Sequence, residues 1–149
     1  MKDLLTAIKT ALQEAESLAS IRDADIYITE DETEIPPSTM YPAIEIKDGQ
    51  IKNDQQIGGR YVQYAQVQIT VYQRVMQPEQ SLMGTKGVLA IAAVINTLLT
   101  GNRLGFLTGS GQVMNVFPIG ETASQIMIIG ETTKIQRKTI FLEYTRNIF

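Results

Sequence analysis

The sequence predicts an α+β domain: a largely antiparallel (mixed) β-sheet with two main helices packed on one face. Three observations predict it. Leu4, Ile8, Leu12, Ala15 and Leu18 recur at three- and four-residue spacing, the apolar stripe of an amphipathic helix. Residues 61–73 alternate instead: Val67, Ile69 and Val71 share one side, and Gln66, Gln68, Thr70 and Tyr72 share the other. That two-residue period belongs to a half-buried strand. The chain then runs helix, strands, helix, strands, an order that gathers helices on one face of a sheet rather than between parallel strands.

Each element follows from local residues. Leu4 to Ala19 reads as the first helix, with Lys9, Gln13, Glu14 and Glu16 off its apolar stripe. Ala24 to Thr29 reads as a short strand with Ile26 and Ile28 on one face. An acidic loop follows, Glu30, Asp31, Glu32, Thr33 and Glu34, and Pro36-Pro37 then stops regular pairing. Tyr41-Pro42 leads into a strand over Ala43 to Ile46, and Asp48-Gly49 signals a turn. Gln50 to Gly59 is polar, contains Asn53, Asp54 and Gln55, and is expected to be a mobile hairpin tip. A long strand leaves it over Arg60 to Arg74. Pro78 suits a helix start, and Glu79 to Leu99 reads as the second helix, with Leu82, Val88, Ile91, Ile95 and Leu98 facing the core. Gly84 and Gly87 weaken its first turns, and Gly101 is placed to end it. Strands are expected over Gln112 to Ile119, Ser124 to Ile129 and Lys134 to Thr145. The whole chain, residues 1–149, is of single-domain length.

Composition narrows the function classes. At 44% hydrophobic residues the chain can bury a substantial core. No uninterrupted run of apolar residues reaches the length of a membrane span, so no membrane association is expected. The N-terminus runs into an acid-bearing helix rather than the apolar core of a signal peptide, which fits a cytoplasmic protein. There is no His and no Cys. Ser-His-Asp and Cys-His chemistry, disulfides and thiolate metal sites are thereby excluded within this chain. The acidic loop lacks the ligand spacing and turn glycine of a calcium loop. Neither Gly101-Asn102-Arg103-Leu104-Gly105 nor Gly109-Ser110-Gly111 matches a phosphate-binding loop. No catalytic, cofactor-binding or metal-ligating residue is expected, and no enzyme. An enzyme working through carboxylates would have Asp54 or Glu121 to test first.

What remains points to surfaces. Net charge is −3, but residues 1–48 carry four basic and eleven acidic side chains, and residues 49–149 carry nine basic and five acidic. Folding either scatters this asymmetry or leaves an acidic and a basic surface able to meet head to tail. Candidate interface residues are Glu30, Asp31, Glu32 and Glu34 in the acidic loop, Asn53, Asp54 and Gln55 at the tip, and Gln66 and Gln68 on the amide face. Lys134, Arg137 and Lys138 complete them. The amide face, read with Gln63 and Gln73, has two readings: it meets water, or it is covered by another subunit, which would require paired amide donors and acceptors. The basic cluster has three: a charged guard on a solvated edge, a contact for an acidic neighbour, or nucleic-acid binding.

The chain resembles the minor tail proteins of tailed bacteriophages, in particular the tail-terminator or tail-completion type. The resemblance is carried by the N-terminal helix, the Tyr41-Pro42-Ala43-Ile44-Glu45-Ile46 entry into a strand with Asp48-Gly49 after it, the strand ending Ile69-Thr70-Val71-Tyr72 before the second helix, and the closing Phe141-Leu142-Glu143-Tyr144. It covers most of the chain as a pattern. It implies a virion structural protein assembled in the host cytoplasm and forming a homo-oligomeric ring, usually hexameric. Such a ring caps the tail tube protein and meets the head-side connector protein. No cofactor and no specific nucleic acid are implied, although DNA would pass through the ring. A head–tail adaptor, a tail-tube subunit and a non-viral protein-binding adaptor module are the alternatives.

Overall fold

A computed structural model describes residues 1–30, 35–105, 109–130 and 132–149. Asp31, Glu32 and Glu34 lie outside the described residues. The expected α+β class is what the chain adopts: a mixed six-stranded sheet with helices on one face.

Helix α1 spans Lys2–Gln13 and buries Leu4, Leu5, Ala7, Ile8 and Leu12. It is shorter than the stripe suggested. Ala15 adopts an extended conformation, and a 3-10 turn over Glu16–Leu18 redirects the chain so that Leu18 still reaches the core. A second 3-10 turn, Asp23–Asp25, leads into strand β1, Ile26–Ile28. β1 pairs in parallel with β2, Ala43–Gln55, and every other pairing is antiparallel. β3 spans Tyr61–Arg74 and β6 spans Thr133–Ile148. They run side by side without a break from Tyr61↔Ile148 to Arg74↔Ile135. β4, Gln112–Glu121, covers the far half of β6, and β5, Gln125–Ile129, covers its near half.

Two further boundaries differ from the sequence reading. Asp48-Gly49 is not a turn. β2 continues through it with a register shift between Asp48 and Ile51, and Asn53, Asp54 and Gln55 pair with Gln63, Val62 and Tyr61. A Cβ on Gly49 would sit 3.0 Å from Gln66, so the glycine marks a bulge where two strands approach closely. The hairpin reverses only at Ile57-Gly58-Gly59. The second helix is also divided, into α2, Pro78–Met83, and α3, Val88–Leu99. A Cβ on Gly84 would lie 2.5 Å from the Gln80 carbonyl oxygen, and one on Gly87 would lie 2.7 Å from that of Leu82. The two glycines let the chain fold tightly on itself between the helices. α3 then restarts with Val88, Ile91, Ala92, Ile95 and Leu99 inward, so Leu99 rather than Leu98 ends the buried stripe. The 78–99 stretch is apolar enough to cross a bilayer by composition, but this break divides it and α3 packs its inner face on the sheet.

The main core lies between the helices and the sheet. It joins the α1 and α3 stripes to Ile44, Ile46, Val67, Ile69, Ile140 and Leu142, all fully buried. Ion pairs at both ends hold the layers. Arg146, buried, donates to Asp3 on α1, to the Gly111 carbonyl at 2.9 Å and to Gln63 at 3.4 Å. Asp25 accepts from Arg22 Nε at 2.7 Å and from the Met40 backbone N–H at 3.0 Å, pinning the loop that enters β2.

Partial burial works against an ionised Asp3, but the Arg146 guanidinium and its hydrogen bond outweigh it and hold the carboxyl below its ordinary value. The Arg22 hydrogen bond does the same for Asp25, against the opposing effect of burial. The unfolded chain therefore takes up these protons first as pH falls. Stability from both pairs is complete above the ordinary value of 3.8 and is lost as pH drops through the depressed folded values. Asp25→Asn should lower the urea midpoint at neutral pH, and the gap to the parent should close well below that value. An equal gap at both pH values would remove the ionised pair as its source.

The helix break supplies a second test. Gly87→Ala should cost about 1–3 kcal/mol through overpacking against backbone. Gly105, which has open space around it, should tolerate Ala within about 0.5 kcal/mol. Equal denaturation midpoints for the two variants would show that the turn does not depend on glycine.

Candidate functional site: an assembly surface

The two faces of the sheet differ. On the face away from the helices the alternation puts Gln66 and Gln68 beside Glu143 and Phe141 of β6. Both amides are half-buried. Asp54 joins Gln66, Tyr64 and Glu143 around a shallow depression. The structure thus brings together the amide face and part of the expected tip. Gln63 and Gln73 do not belong to that face. Their parity places them on the helix side, where Gln63 accepts from Arg146 and Gln73 donates to the Lys86 carbonyl at 2.6 Å.

The amide face is not open along its whole length. Thr70 and Tyr72 are buried. Tyr72 packs with Ala43 and Ile135 in a second small core, closed by Tyr27, Ile35, Tyr41, Met127 and Ile129. Glu45 sits within it, also buried, and accepts from the Tyr72 hydroxyl at 3.0 Å and the Tyr27 hydroxyl at 3.4 Å. Burial, and after it the neighbouring Glu45 charge, raise both phenols above their ordinary values. Sequence reasoning missed this core because Thr and Tyr in the alternation read as surface. The signal lay in the apolar neighbours Ile35, Met127 and Ile129, which come together only in three dimensions.

The basic cluster is divided. Lys138 points to the helix side, donates to the Thr122 carbonyl at 2.8 Å and lies 4.0 Å from Glu121. Arg137 lies on the opposite side and donates to Gln125 at 3.2 Å. Lys134 is exposed near the start of β6. These three residues do not form one patch, because adjacent residues of a strand face opposite ways. Glu30 is exposed just beyond β1.

The β4–β5 edge carries several exposed apolar side chains, and the sequence reading treated it only as strands. Phe117 is 52% exposed and Ile128 63%, with Met114, Ile119 and Ile126 also exposed. Val113 and Val116 turn inward, so β4 is apolar on both sides. Ile126 pairs with Gln136, whose amide meets Ser81 of α2, and therefore lies on the helix side. The outer stripe of α3 continues the apolar surface there. Val88–Leu99 contains no charged residue, Leu89 and Ala93 are exposed, and Asn96 donates to Glu121 at the end of β4 at 2.9 Å. Phe117 pairs with Glu143 and so lies on the face away from the helices, while Ile126 and Ile128 pair with Gln136 and Lys134 on the helix side, so this edge exposes apolar side chains on both faces. Comparison of the chain with models of known protein families and with curated proteins finds no match.

Proposed function

We propose that the chain is a structural subunit of a self-associating ring, of the kind that terminates a phage tail tube and meets the head-side connector. The β4–β5 rim carries this reading. An edge strand with exposed Phe117, Ile119, Ile126 and Ile128 is costly to leave in water, and a second copy would cover it. The opposite edge of the sheet is the short β1, with Ile28 exposed. A contact between unlike edges is heterologous, and a heterologous contact that closes produces a ring. Pro118 and the two register shifts in β4 resist simple strand-to-strand extension, so side chains, rather than a continued hydrogen-bond ladder, would form the contact. The amide face suits a channel wall or a neighbour because it can be covered without removing many charges from water.

The rim gives the test. Purified protein should sediment above monomer mass and show rings by electron microscopy. Phe117→Asp with Ile128→Asp should shift it to monomer while leaving its circular dichroism unchanged. A parent that is strictly monomeric at high concentration, and that ignores isolated tail tubes, would overturn the reading.

A further inference from the structure

We infer that the cleft at the far end of β3 is a binding site for an acidic, partly apolar peptide segment of a partner protein. The cleft encloses about 720 Å³, within the range of ligand and side-chain pockets. It lies between the Thr39–Tyr41 entry to β2, the end of β3, and the α2 turn through Lys86.

Its chemistry is one-sided. Arg74 and Lys86 line it, and among the described residues no carboxylate does. Neither cation is in a salt bridge among the described residues. Lys134 stands beside it, its backbone carbonyl accepting from Val75 N–H at 2.9 Å. Two carboxylates spaced along an extended segment would meet Arg74 and Lys86 and supply the missing countercharge.

The other groups favour a peptide. Met40 is 58% exposed and Met76 78%, both on the cleft wall. Exposed thioethers adapt to varied apolar side chains, the use made of methionine at permissive binding surfaces. The Gln77 and Gln80 amides can donate to and accept from a peptide backbone. The floor is fixed: Ser81 Oγ lies within hydrogen-bond distance of the buried Gln136 side chain, at 3.1 Å, and of the Pro78 carbonyl, at 3.0 Å, and shares its one proton between them. A nucleic-acid site would call for a longer basic track and stacking aromatics. Here the one aromatic among the described residues is Tyr41, half-buried against the second core.

The site does not depend on ring formation, and the experiment keeps the two apart. The probe is a fluorescein-labelled peptide, Glu-Glu-Leu-Asp-Glu-Leu, titrated with the full chain at low salt and read by anisotropy. A Phe117→Asp, Ile119→Asp protein, changed only on β4 and away from the cleft lining, is titrated in parallel. Binding should persist in that variant and weaken at least about tenfold in Arg74→Glu with Lys86→Glu. It should also weaken against the amide peptide Gln-Gln-Leu-Asn-Gln-Leu. Reversal of the remote Lys52 and Arg103 to Glu should change affinity less than about twofold. Met40→Ser with Met76→Ser should weaken the Leu-containing peptide but not a Ser-substituted one. Equal affinity for the acid and amide peptides, insensitivity to Arg74 and Lys86 reversal, or displacement of the peptide by a single-stranded oligonucleotide at lower concentration would overturn the assignment.

Discussion

The unbroken ladder between β3 and β6 is the constraint on which the rest of the structure depends. Every residue of β3 has a partner on β6, so one register sets both faces of the sheet. Val67, Ile69 and Val71 meet the helices only in this register. A slip of one residue would turn Gln66, Gln68 and Thr70 into the core and expose the valines. The other strands take their positions from this pair. β2 lies along the outer side of β3, and β4 and β5 divide the outer side of β6 between them. The helices then have one apolar surface available. Arg146 ties the N-terminal helix to the end of the last strand, across nearly the whole chain length. Gly111 makes room for that guanidinium: with φ at +90°, a Cβ there would lie 2.6 Å from it.

Where periodicity was strong the fold was legible in the sequence. α1 and β3 each carry an apolar stripe that admits only one period; β3 stands near its expected limits, whereas α1 ends six residues early at Gln13. Legibility failed where two signals competed. Asp48-Gly49 has the chemistry of a turn, yet a bulged strand also uses glycine for close approach, and pairing with β3 decided for the bulge. Gln50 to Gln55 shows no apolar alternation because much of that stretch faces water, so nothing local announced a strand. In the 78–99 stretch a continuous apolar pattern hid the break, because Gly84 and Gly87 act through contacts with the preceding turn's carbonyls rather than through periodicity. The second core was invisible for another reason. It gathers residues from five strands and the loop before β2, and Tyr72 alone gives no sign of being covered.

The candidate surfaces were legible to a smaller degree. Amides on β3 were identified from parity alone, and Gln66 and Gln68 share a face as parity requires. Parity also moves Gln63 and Gln73 to the other side. The same rule puts Arg137 and Lys138 on opposite faces, and the structure has them so. The β4–β5 rim could have been suspected from Met114, Phe117, Ile119, Ile126 and Ile128, which are too many apolar side chains for one covered face. What sequence could not supply was that β6 has only one side left for both strands, which places their side chains at an edge.

Folding also redistributes the charge asymmetry. The acidic N-terminal third uses Asp3, Asp25 and Glu45 internally, against Arg146, Arg22 and two tyrosine hydroxyls. The basic remainder uses Arg146 and Lys138 in the same way. Of the seven cations left over in residues 49–149, Lys52 and Arg60 stand by the hairpin turn and three gather at the other end of the sheet. Arg74, Lys86 and Lys134 stand where β3 ends and β6 begins, the end opposite the hairpin turn at Ile57-Gly58-Gly59. The uncharged rim lies along the side of the sheet. One surface can therefore be covered by apolar contact while the other remains free to recognise charge, and the two contacts would respond differently to salt. Apolar burial is little weakened by added salt, whereas exposed ion pairs are screened within about 10 Å at moderate ionic strength. In the ring proposed above, such a subunit would hold its own copies by apolar contact and still exchange a second partner at its charged end.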